Sequence, residues 1–193
     1  ANVGGNNNNA VGIAALGNNT TGQLNTALGS EALKDNTTGS RNIAIGVKAL
    51  DAPDTENDNL AIGYDALGGS IAGGENNVAL GNYTLDALTS GDDNTAVGYQ
   101  ASSANTTGAH NVSIGSTAGV TITTGQDNVI IGSNSNPSAG GASNQIVIGR
   151  SATGLADNYA VIGNADITRL YAAQDGAGVL YANGTIQSSD RRI

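Results

Sequence analysis

The chain has 193 residues, 29 of them Gly, with six Tyr, one His and no Phe, Trp, Met or Cys. A thick core of ordinary type is excluded by that composition, and a disulfide framework or zinc–thiolate site by the absence of Cys. The formal charge of −9 argues against nucleic acid as a partner, which needs clustered Lys and Arg, and favours solubility and repulsion between particles. No apolar run approaches the length of a membrane span, so membrane insertion is not expected.

The chain opens at Ala1 rather than Met, and residues 1–7 read as the start of a fragment. From residue 8 to 166 the sequence repeats itself. An aliphatic–Gly pair recurs at Gly12, Gly29, Gly46, Gly63, Gly81, Gly98, Gly115, Gly132 and Gly149, in steps of 17 with one of 18, and a step of 14 leads to Gly163. A period this regular predicts a stacked array rather than one compact core. Strict phasing of the apolar positions also argues against disorder.

Positions are numbered from the anchor glycine. Position −4 is Asn at Asn8, Asn25, Asn42, Asn59, Asn77, Asn94, Asn111 and Asn128. Position −1 is always aliphatic, position −3 is aliphatic or Thr in most repeats, and position −2 is Ala or Ser in the first seven. That alternation predicts a short strand, with the bulky −3 and −1 side chains facing the coil interior and the Ala face open to another backbone. The stacked Asn residues are expected to form a side-chain ladder, each amide bonding the next.

Turn chemistry fills the rest of each unit, as Asn-Thr-Thr-Gly at residues 19–22, 36–39 and 105–108. The Gly at −7 is expected to supply positive φ. Between anchor and turn lie a small residue at +3 and, in early repeats, Leu at +4 (Leu16, Leu33, Leu50, Leu67, Leu85). This arm is a second strand, an irregular arm or a single helical turn. The first two are favoured, because about six residues cannot sustain a helix alone.

The fold class expected is all-β: a parallel β-roll or β-helix solenoid of 17-residue repeats. At about 4.8 Å per coil the array would be about 45 Å long. One such thread buries little apolar surface against its chain entropy. Oligomerisation through the Ala face, as a homotrimer, is the expected remedy.

Asn42-Ile43-Ala44-Ile45-Gly46 with Ala49, and Asn94-Thr95-Ala96-Val97-Gly98 with Ala101, resemble the head repeats of trimeric autotransporter adhesins, the YadA-like family. The resemblance covers about residues 8–163 and implies a trimeric β-roll with an adhesive role. The unit here is longer than that family's usual one, which implies a lengthened surface turn.

Residues 167–187 leave the repeat and read as a β-hairpin neck, with Asn183-Gly184 between apolar residues as the hairpin signal. Residues 188–193 follow, as Ser188-Ser189-Asp190-Arg191-Arg192-Ile193. They resemble the opening of the endosialidase-type intramolecular chaperone domain found at the ends of phage tail fibres and tailspikes. The resemblance implies Ser189 as the self-cleavage residue, with Asp190 and Arg192 matching the motif and a Lys expected next. Without that Lys the dyad is incomplete and the chain cannot cleave itself.

Together the two resemblances imply a structural, adhesive segment of a viral or prophage tail fibre, trimeric, extracellular on a virion, and partnered by other tail proteins and a host-cell receptor, in which a glycan is one option. The alternative is the head of a bacterial trimeric adhesin on the outer surface. An ice-binding solenoid and a glycan-degrading tailspike rank lower. No enzyme is expected: one His and no Cys exclude Ser-His-Asp and Cys-His catalysis within one chain. No cofactor is implied.

Other candidates are local. Tyr64, Tyr83 and Tyr99 either stack on sugar faces or fill space between subunits. His110 is either an exposed turn residue or, in three inward-facing copies, a metal ligand. The acidic stretch 51–59 and the pair Asp92-Asp93 are solvated loops or calcium ligands, and no metal site is favoured. The repeated threonines would suit ice binding only if the column were unbroken, which it is not.

Overall fold

The computed structural model describes residues 5–52, 55–69 and 71–167. It is a parallel β-solenoid with one three-residue strand per coil. The strands are β1 (Asn9–Val11), β2 (Thr26–Leu28), β3 (Ile43–Ile45), β4 (Leu60–Ile62), β5 (Val78–Leu80), β6 (Thr95–Val97), β7 (Val112–Ile114), β8 (Val129–Ile131), β9 (Ile146–Ile148) and β10 (Ala160–Ile162). They form a single sheet in sequence order, each pair parallel and in register with its repeat equivalent. The neck expected at residues 167–187 lies, apart from Ile167, outside the described residues, as does the segment holding Ser189.

The two faces of the strand are the reverse of the expectation. Position −2 points inward, and Ala27, Ala44, Ala61, Ala79 and Ala96 are buried. No side chain at −3 or −1 in the ten strands is buried. The reason is width. One short coil encloses room for a small residue opposite one large one, and two bulky columns from the same strand do not fit. The Ala column is therefore unavailable to a partner chain.

The main large residue inside the early coils is Leu at +4, which shares one buried cluster with the Ala column at −2. Leu33, Leu50, Leu67 and Leu85 are fully buried. Each adopts positive φ, between 46° and 53°, which costs a non-glycine residue about 1–2 kcal/mol. Full burial of Leu contributes about 1.5–3 kcal/mol and offsets it. The arm is thus irregular, built of turns at +2 and +4, with no second strand among the described residues.

The core changes hands along the array. In the first five coils Leu at +4 faces Ala. Next, Ser102 meets Ser113, Oγ to Oγ at 2.7 Å and buried. After that Gly119 stands at +4 while Ile130 occupies −2, and Val147 follows it. A side chain on Gly119 would collide with the hydroxyls of Ser113 and Ser102. Summed volume is kept while large and small swap sides, with a polar pair at the crossover. The apolar core accordingly divides there into two clusters.

Two glycine columns hold the coil spacing. The anchor glycine has φ near +136° in Gly46 and Gly132, and a Cβ there would enter the carbonyl of the next anchor. The −7 glycines correct the expectation. Gly22, Gly39, Gly91, Gly108 and Gly125 do not have positive φ. They are glycine because a Cβ would strike the backbone carbonyl one coil on.

The swap yields a test by double-mutant cycle in chemical denaturation. Leu67→Ala should cost about 2–5 kcal/mol and Ala79→Ile about 1–3 kcal/mol. The double variant should lose clearly less than their sum, and strict additivity would refute the volume exchange.

Candidate binding surfaces

The Asn column comes first, because it fixes everything outside it. Asn42 receives its position from both neighbours. Its backbone N–H donates to Asn25 Oδ1 (2.9 Å), its Oδ1 accepts from Asn59 N (3.0 Å), and its Nδ2 donates to the Glu56 carbonyl (2.7 Å). The same triplet repeats through Asn128, where Gln145 N takes the next place (3.0 Å). Direct amide-to-amide bonds, the ladder expected from sequence, join Asn77 to Asn59 and run on to Asn128. The column is buried, so each amide is satisfied in a medium where an orphan would cost about 1–3 kcal/mol.

Outside this frame lies an aliphatic stripe. Positions −3 and −1 of successive strands place Ile43, Ile45, Leu60, Ile62, Val78, Leu80, Val97 and Ile114 on the outer face of the sheet. Val11, Leu28, Ile43, Ile114, Ile146 and Ile162 are 39–64% exposed. Exposed aliphatics scattered singly are ordinary, but a continuous column the length of a solenoid marks an interaction surface.

The tyrosines come together. Tyr64 and Tyr99 stand at +1 in coils two apart, and Tyr83 stands at +2 in the coil between. The Tyr83 ring meets Tyr64 edge-on (centroids 5.3 Å, 67°) and Tyr99 likewise (6.1 Å, 89°). Tyr64 and Tyr99 are 42% and 49% exposed. Partial desolvation first, then the neighbouring Tyr64 and Asp65, push the Tyr83 hydroxyl above its ordinary value.

Beside them is an acidic group that sequence reading missed. Asp51 and Asp86 occupy position +5 in coils two apart, with Gly68 between them and the Asp65 carboxylate lying over Gly68. One carboxylate oxygen of Asp51 and one of Asp86 are buried without a hydrogen-bond partner. Burial, and next the Asp65 charge at Asp51, raise both groups above the ordinary carboxylate value. The signal was present in the sequence as identical phase at 17-residue offset, but it is visible only once +5 is known to turn inward.

Position −5 is in positive φ in every coil and carries exposed ionisable residues at Arg41, Asp58, Asp93, His110 and Asp127. Arg41 donates through Nε and a terminal N–H to both oxygens of Asp58, each at 2.6 Å. His110 lies between Asp93 (3.7 Å) and Asp127 (3.3 Å). It is an exposed turn residue, and its two carboxylate neighbours face different ring nitrogens. Exposed pairs of this kind add little to stability, because water and salt screen them.

The remaining candidates are absorbed by the frame. Glu56, in the acidic stretch, is buried and accepts from the backbone N–H groups of Thr55 (2.9 Å) and Gly73 (2.8 Å). Among the described residues no group of three or more His, Asp or Glu side chains is placed to hold a metal ion. The threonines at −9 donate their hydroxyls to carbonyls of the next coil: Thr20 to Thr37, Thr89 to Thr106 and Thr106 to Thr123. They brace the turn rather than present a free hydroxyl lattice. Ser189 lies outside the described residues.

No protein-family model matches the chain, and neither a curated protein nor a solved structure matches it.

The raised carboxylates give a pH prediction. A carboxyl whose folded-state value is raised stabilises the fold below its unfolded value and loses that contribution as pH rises through the folded value. Unfolding midpoints should therefore climb as pH falls from 7 toward about 4. Asp58, lowered by its hydrogen bond and ion pair with Arg41, acts oppositely only at more acidic pH. Asp51→Asn with Asp86→Asn should flatten the climb; an unchanged slope would refute the assignment.

Proposed function

We propose that this chain is a structural and adhesive fibre segment that works as a homotrimer, attached to the tail of a virus or prophage. The aliphatic stripe is the observation that carries the reading. A solenoid that buries its small Ala column and presents a continuous Val, Ile and Leu column has its strongest cohesive surface outside. Three copies turning that stripe toward a common axis would bury it completely and leave the turns and the acidic −5 column facing water.

The charge pattern supports the same arrangement. The stripe itself carries no charged residue at −3 or −1, and Arg41, Asp58, Asp93 and Asp127 at −5 are exposed outside it, where they would stay solvated. Removal of water from the stripe would also add the burial that a single thread lacks. The fibre role, rather than catalysis, is supported by the repetition itself: each coil bonds only its neighbours, which makes a shaft or platform.

Attachment to a viral tail rests on the C-terminal resemblance, Ser189-Asp190-Arg191-Arg192 after a neck. The second reading, the head of a bacterial surface adhesin, rests on the YadA-like repeats and makes the same trimer. A chaperone domain following the neck would favour the fibre, and a coiled-coil stalk with a membrane anchor the adhesin. Either way the partners proposed are two further copies of this chain and a receptor on a host cell.

Light scattering after size exclusion tests the trimer. The expected mass is three times 19.0 kDa. Ile62→Lys with Leu80→Lys, both on the outer face, should reduce it to one chain with the β circular-dichroism signal retained. A parent that stays monomeric even when extended through its downstream segment would overturn the trimer.

A further inference from the structure

Three of the six tyrosines of the chain gather in three consecutive coils, and the backbone beneath them is fixed. Tyr83 N–H donates to the Tyr64 carbonyl (2.9 Å), Thr117 N–H to the Tyr99 carbonyl (2.8 Å), and Gln100 N–H to the Asn82 carbonyl (3.0 Å). The Tyr64 N–H in turn donates to Asn82 Oδ1 (2.8 Å). Tyr83 braces the other two rings edge-on, so the outer pair keep their orientation without help from a ligand. A ligand meeting such a surface orders little of it on binding.

Spacing and charge narrow the ligand. Tyr64 and Tyr99 occupy the same coil position two coils apart, which is about 10 Å along the solenoid axis at one strand spacing per coil. Asn82 is exposed at the same position midway between them. The rings offer apolar faces with hydroxyl tips, and Asn82 and Gln100 offer amides that both donate and accept. Asp65 and Asp86 lie close by, in a chain of net charge −9. Anionic ligands are disfavoured by that field.

We propose that Tyr64, Tyr83 and Tyr99 form a stacking platform for a neutral, equatorially linked oligosaccharide laid along the coil axis. The assignment rests on the attachment reading above and names its ligand class. In an equatorially linked chain the sugar rings form a flat ribbon that presents the same face at every second ring. That repeat is what two rings separated by two coils would accept, with Asn82 reaching the hydroxyls of the ring between.

The test is isothermal titration of the purified protein with cellotetraose and chitotetraose, with sialyllactose as the anionic probe. Native mass is followed in parallel. The parent should bind a neutral probe. Tyr99→Ala, and Tyr64→Ala with it, should weaken binding at least about tenfold while the native mass stays unchanged. Tyr99→Phe should retain most of the affinity, because stacking is kept. Failure of both neutral probes, tighter binding of sialyllactose, or Tyr→Ala variants that bind like the parent would each overturn the platform. Dissociation of the oligomer in the Tyr→Ala variants would show the rings to be subunit packing; that also overturns the platform and leaves the trimer standing. A parent that binds through the tyrosines yet stays monomeric even in the extended form would keep the platform and remove the trimeric fibre reading.

Discussion

Each coil must lie one strand spacing above the last, and almost every other feature follows from that closeness. At about 4.8 Å per coil the backbone of one turn runs against the backbone of the next, and side chains are excluded wherever carbonyls point along the axis. The anchor and −7 glycines mark those places. The Asn column completes the constraint by tying backbone N–H to side-chain oxygen and side-chain N–H to backbone carbonyl across successive coils. A strand of three residues would not hold a sheet by itself; the buried amides extend the ladder beyond its ends.

The same closeness decides the core. A coil this narrow packs its −2 column close to +4, with +3 Ala and +7 residues such as Leu88 and Ile122 also inside, and a large residue at one of the facing positions goes with a small one at the other. Leu against Ala meets that condition in the first part of the array, and Gly119 against Ile130 meets it later. The Ser102–Ser113 pair stands where neither partner is large, and its hydrogen bond satisfies both hydroxyls at the handover. The outward columns escape the volume constraint, which is why bulky Ile and Leu collect there without collision.

How much of this was legible in the sequence depends on the link in the chain of inference. Period, strand position and the Asn ladder were legible, because each is a recurrence at fixed phase. The direction of the strand faces was not. Alternation shows that −2 differs from −3 and −1, but not which side is inside, and the usual rule that large apolar residues go inward gave the wrong answer. Coil width, not hydrophobicity, decides the matter, and width depends on turns at +2 and +4 whose positive φ falls on residues such as Leu, Asp, Lys and Tyr, and on Gly at Gly119. The acidic group at Asp51, Asp65 and Asp86 was hidden for the same reason, since its members share a neighbourhood only after the arm has turned. The grouping of Tyr64, Tyr83 and Tyr99 is legible as nearly equal phase beside the anchor, whereas the edge-on contact of Tyr83 with the other two rings is not.

The repeats also serve as an alignment of the chain with itself. Positions −4, −1 and 0 barely vary, and they are the positions that stack, cohere and set the spacing. Positions +1 and +2 vary freely, from Ile13 and Ser30 to Tyr64, Asn82 and Arg150, because their side chains lie outside the buried core, and only some of them, such as Asn82 with Tyr64 N–H, tie one coil to the next. Departures from a repeat at a free position are where an individual coil acquires individual chemistry. Among the described residues, the run of such positions with aromatic rings in mutual contact is the one at Tyr64, Tyr83 and Tyr99. It lies in the middle of the array, where coils on both sides hold the backbone still. A solenoid built in this way separates its tasks by position within the coil: inward columns make the thread, the aliphatic column stays outside it, and positions +1 and +2 are free to differ from coil to coil.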